Sequence, residues 1–78
     1  MTYQRVNLDS ARGLFQEILD ALRTGSTANI GRFQLKVAQM DIRSAETLVI
    51  ATDELTNSLV RLTIPHDVNE TAYAVIIP

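Results

Sequence analysis

The chain has no cysteine and no tryptophan, and its one histidine is His66. Without cysteine there are no disulfides, no thiolate metal sites and no cysteine nucleophile. With one imidazole, no two-histidine metal site can be built within one chain. Aromatic residues are scarce: Tyr3, Phe15, Phe33 and Tyr73 complete the set. A base-stacking platform needs exposed aromatics beside basic residues, yet Phe15 and Phe33 fall on predicted core faces. Tyr73, set among small alanines, reads as a core-edge residue with a wet hydroxyl. Clustered basic residues are missing too. Arg5, Arg12, Arg23, Arg32, Lys36, Arg43 and Arg61 are spaced like ordinary surface charges. Nucleic-acid binding through counterion release needs a basic patch, so no nucleic-acid partner is expected. The net charge of −2 and the scattered acids make a poor imitation of DNA. No apolar run approaches a membrane span, and "MTYQRVNLDS" lacks an apolar signal core. No membrane association and a cytoplasmic location are the expectations.

What is present is enough for one small domain over residues 1–78. A chain of this length buries roughly 60–65% of its unfolded surface, so its core is thin. Small domains often add disulfides, a metal or a partner chain. With disulfides and thiolate or two-histidine metal sites excluded, self-association or a protein partner becomes the expected extra support.

Periodicity predicts a helix over about residues 9–24, "DSARGLFQEILDALRT". Ala11, Leu14, Phe15, Ile18, Leu19 and Leu22 share one face. Asp9 or Ser10 can cap its start, and Gly25 suits its end. "GSTANIG", residues 25–31, reads as a loop. In "RFQLKVAQM", Phe33, Leu35 and Val37 alternate with polar residues as in a strand, and "DIRS" breaks the pattern. "ATDELTNSLVRLTI" admits two readings. As a helix over 48–62 it aligns Leu48, Ala51, Leu55, Leu59 and Leu62. As a hairpin it pairs a strand at 47–52 with another at 58–64 across a five-residue loop, "DELTN". Dense β-branched residues favour the hairpin, and Pro65 ends its second strand. "TAYAVII" is a last strand, and "TYQRV" is a candidate further short one. The expected fold is α+β: one N-terminal helix packed on one face of an antiparallel four-stranded sheet. The alternative is helix–strand–helix.

Few residues suggest chemistry. His66 and Asp67 are an adjacent imidazole and carboxylate, but a turn after Pro65 accounts for both, and acid–base claims rest on geometry first. Asp53 and Glu54 are paired carboxylates, although a glycosidase pair flanks a deep cleft and this chain has little volume for one. "DELTNSLVR" resembles, over these few residues, the asparagine-bearing helix of the histidine-kinase type of ATPase. That family's glycine-bearing nucleotide boxes are missing here, so Glu54 and Asn57 receive no nucleotide role. "GSTANIG" lacks the Gly-Lys-Ser/Thr of a P-loop.

No catalytic residue, cofactor or metal site is therefore expected. The favoured function is a non-catalytic interaction module: a small regulator, inhibitor or adaptor of the bacterial or phage accessory type, or an assembly subunit such as a homodimer. The alternative is a small oligomeric enzyme using His66 and Asp67, or Asp53 and Glu54, at an interface. One helix covers one face of a sheet, and the other face is the expected interaction surface. Strand alternation assigns to it Lys36, Val49, Leu59, Arg61 and Ile76.

Overall fold

A computed structural model describes residues 3–8, 13–67 and 69–77. Its elements are β1 (Gln4–Leu8), α1 (Leu14–Thr24), β2 (Thr27–Ile30), β3 (Phe33–Ile42), β4 (Glu46–Asp53), β5 (Ser58–Pro65) and β6 (Ala72–Ile77). The six strands form one antiparallel sheet in the order β1-β6-β5-β4-β3-β2. The expected four-stranded sheet is thus corrected to a six-stranded one that curls into a half-barrel around the core. The α+β class holds only broadly, because one short helix accompanies a protein that is mostly sheet.

Two strands account for the difference. β1 occupies most of the "TYQRV" stretch and pairs with β6, from Gln4 opposite Ile76 to Leu8 opposite Ala72. β2 lies inside the "GSTANIG" segment expected to be loop. Ala28 and Ile30 are buried there and alternate with Thr27 and Asn29. Ile30 pairs with Phe33 across a two-residue turn that begins at Gly31, φ 54. Glycine at the first central position is what such a turn demands.

The hairpin over 46–65 is present, and no helix crosses residues 48–62. Its register is one residue away from the expected one. Asp53 pairs with Ser58, leaving four turn residues rather than five. Asn57 closes the turn in the left-handed region, at φ 58. Because side chains alternate with period two, this single step moves every residue of β4 to the opposite face. Val49, Ala51 and Thr47 point into the core, against Leu62, Val60 and Ile64 of β5. β6 reverses as well, with Ala72 and Ala74 inside and Tyr73, Val75 and Ile77 outside. β3 keeps Phe33, Leu35 and Val37 inside, and a bulge between Val37 and Gln39 then shifts its register.

The helix buries Leu14, Ile18 and Ala21 against the β2–β3 end of the sheet. Its N-cap is Gly13, with no capping side chain, and Gly25 closes its C-terminus at φ 70. The expected caps Asp9 and Ser10, like Ala11 and Arg12, lie outside the described residues. The curl carries the two edge strands toward each other, so that Leu8 of β1 lies beside Gly31. Among the described residues no helix is long and apolar enough to cross a membrane.

Candidate functional site

The carboxylates singled out by their sequence positions are engaged in turns. Asp53 is buried, at 4% exposure. Its Oδ1 accepts from the backbone N–H of Gln34 (3.1 Å) and of Leu55 (3.2 Å), and its Oδ2 from the Thr56 hydroxyl (3.2 Å). These bonds tie β3 to the β4–β5 turn and hold the four-residue geometry. Glu54 is exposed and accepts from the Thr27 hydroxyl. The two adjacent acids therefore serve different partners and do not act as a pair. Asp67 accepts from the Asn69 N–H at 2.9 Å, a local turn, and has no bond to His66. Residues 54–57 are a turn, so the resemblance of "DELTNSLVR" to a nucleotide-binding helix has no helix beneath it.

His66 has a partner that sequence reading missed. Its Nε2 lies 2.9 Å from the Thr47 hydroxyl, and its Nδ1 lies 3.3 Å from the Ser44 carbonyl. A carbonyl only accepts, so Nδ1–H donates to it, and in the neutral ring Nε2 then accepts from the Thr47 hydroxyl. Hydroxyl, imidazole and orienting carbonyl follow the order of an activated nucleophile. Yet Thr47 is fully buried, at 0% exposure, so its hydroxyl faces no solvent-borne substrate. The arrangement fastens the β3–β4 loop to the end of β5, reinforced by the His66 N–H bond to the Ala45 carbonyl at 3.0 Å. The signal for Thr47 was present as a polar residue in an apolar strand, but its partner is 19 residues away.

One hollow, of ≈ 510 Å³, lies at the seam between the edge strands, floored by Val6, Leu8, Leu14, Ile30 and Phe33. Another, of ≈ 350 Å³, is bordered by Arg32, Asp53, Thr56 and Ile76. Neither holds a histidine, and the buried acid of the second is spent on the turn. No group of three or more His, Asp or Glu side chains that could hold a metal occurs among the described residues.

The outer face of the sheet has a different character. Cross-strand partners share a face, so the registers define its rows. One row runs Lys36, Thr52, Leu59, Ile77. The next runs Gln39, Ile50, Arg61, Val75, Arg5, and a third runs Asp41, Leu48, Thr63, Tyr73, Asn7. Leu59 is 42% exposed, while Leu48, Ile50, Tyr73, Val75 and Ile77 are half-buried. Of the five residues expected on this surface, Lys36, Leu59 and Arg61 are there. Val49 is not: it is a fully buried core residue opposite Leu62. Ile76 also lies on the inner side, opposite Val60 and packed against the core. The first correction follows from the one-residue step between β4 and β5, and the second from the pairing of β6 with β5, which sets Ile76 opposite inward-facing Val60. Comparison with family models, with curated proteins and with solved structures finds no match for this chain.

Proposed function

We propose that this chain is a non-catalytic protein-interaction module of the small regulator or adaptor kind, and that it docks its partner on the outer face of the sheet. The observation that carries this reading is the set Leu48, Ile50, Leu59, Tyr73, Val75 and Ile77, displayed together with no element of the described chain over them. An antiparallel sheet with one wet face normally alternates apolar inside and polar outside. Here β4 and β6 are apolar on both sides, and the bulkier set is outside. Contiguous apolar area of that kind marks an interaction surface. The two longer dimensions of the molecule are 31 and 29 Å, so this face offers at most about 900 Å², close to the ~800 Å² per partner of a standard interface. Against the enzyme alternative stand the buried Thr47 hydroxyl beside His66 and the engagement of Asp53 in its turn.

The test begins with affinity purification from the cells that make the protein. The recovered protein is then titrated calorimetrically against the parent and against Leu59→Glu and Ile50→Glu, each checked for folding by circular dichroism. Both substitutions should weaken the reconstituted complex by about tenfold or more, or at least ~1.4 kcal/mol. A complex indifferent to both, or a turnover that depends on His66, would overturn the proposal.

A further inference from the structure

We infer that the partner segment received on this face is acidic as well as apolar, and that one of its carboxylates is held between Arg5 and Arg61. This rests on the docking surface proposed above and specifies what occupies it. Arg5 on β1 and Arg61 on β5 both stand opposite Val75 of β6, one on either side. Two strand spacings separate them, roughly 10 Å between backbones, a gap that two flexible guanidinium side chains can close on one carboxylate. Both residues are exposed. The Arg5 guanidinium lies 3.8 Å from the centre of the Tyr73 ring. Stacking on an aromatic fixes the plane of the guanidinium and leaves its N–H edge turned outward for a bidentate acceptor.

Among the described residues, nothing on the face supplies that acceptor. The ion pair among the described residues is Arg43 with Asp41, at 3.0 Å, and it involves neither Arg5 nor Arg61. The acids of the outer face, Asp41 and Glu46, stand at the β3–β4 end, and Asp41 is already bonded by Arg43. Lys36, the third cation of the face, donates to the Gly25 carbonyl. A chain whose net charge is −2 thus presents, among the described residues, a positive centre without an acidic partner on its apolar face. Covering the flanking Val75, Ile50 and Ile77 would exclude water from the pair and strengthen it. A second copy is a poor occupant. In a two-fold interface centred on this face, the same patch meets itself, bringing Arg61 toward Arg61, and like charges in apposition oppose association.

The experiment pans a phage-displayed library of random peptides on the immobilised parent, on Arg5→Glu/Arg61→Glu, on the milder Arg5→Gln/Arg61→Gln, and on Leu59→Glu. Each variant is confirmed folded by circular dichroism. The parent should enrich peptides with Asp or Glu between apolar residues, and their binding should weaken as salt rises. Both arginine variants should lose those peptides by about tenfold or more, and the charge-reversed one should enrich Lys or Arg in the acid's place. Parent-selected peptides that lack acids, are lost on Leu59→Glu and ignore the arginine changes would overturn this inference and leave the docking surface standing. Peptides indifferent to Leu59→Glu as well would remove the surface itself. Sedimentation showing a parent dimer that Leu59→Glu dissolves would make a second copy the occupant, and would overturn the inference too.

Discussion

On β4 and β6 the fully buried inner positions and the outer positions carry side chains of different size. Inside, β4 and β6 contribute Thr47, Val49, Ala51, Ala72 and Ala74, all fully buried. Outside, the same strands present Leu48, Ile50, Tyr73, Val75 and Ile77. Ranking residues by hydrophobicity would place the second set in the core, and the structure does the reverse. Curvature is the reason. The concave side of a half-barrel has little room once Phe33, Leu35, Leu62 and Ile18 are in it, and small barrels fill their interiors by setting small side chains against large ones. The convex side has area to spare, so the bulky residues there make a surface.

The comparison breaks most visibly at the centre of the inner face. Leu62 is fully buried between Val49 and Ala74. Leu62→Ala should cost about 2–5 kcal/mol, a lost transfer term plus a cavity. In a domain this small that is a large share of the total. Urea denaturation would show it as a much lower midpoint, and a loss below about 1 kcal/mol would mean that the core has more slack than the burial implies. Next in size is a test of crowding. Ala74→Leu adds bulk to the concave side and should destabilise by about 1–3 kcal/mol. Val75→Phe makes an addition at least as large one residue further along the strand, on the convex side, and should change stability by less than about 0.5 kcal/mol. Equal effects from the two would mean that the faces do not differ in room.

Legibility in the sequence followed the same division. α1 and β3 were readable because each has one dominant period, and the pairing of β4 with β5 because dense β-branched residues flank a polar loop. β2 was hidden because Ser26, Thr27, Asn29 and two glycines carry a loop composition, although Ala28, Ile30 and the Gly31-Arg32 turn held the hairpin signal. The faces of β4 and β6 were not readable by alternation, since both parities are apolar. The face of β6 is set by its register against β5, and that of β4 depends on one residue in a turn. Asp53 joins the strand and leaves four residues in the loop because its carboxylate accepts from Gln34, Leu55 and Thr56. A tertiary bond to a strand 19 residues away cannot be read from the local pattern. Two of the five residues expected on the outer face are therefore misassigned, and alternation places Ile50, Val75 and Ile77 in the core where the structure has them outside. Arg5 was never considered for it, because its place on the face depends on β1 pairing with β6.

The smallest expected effect is the sharpest test of what the outer face is for. Ile50 sits in its middle row between Gln39 and Arg61, half-buried by its neighbours, with no element of the described chain above it. Were it a core residue, trimming it to threonine would remove apolar burial and strand a hydroxyl, at a cost well above 1 kcal/mol. On an open sheet face the threonine hydroxyl stays wet and its β-branched shape still suits a strand. Ile50→Thr should therefore leave stability within about 0.5 kcal/mol of the parent by urea denaturation, while partner binding falls measurably in calorimetry. A fall in stability matching that of a buried isoleucine would show that something already covers this face in the isolated protein, and the size argument for the two faces would fail with it.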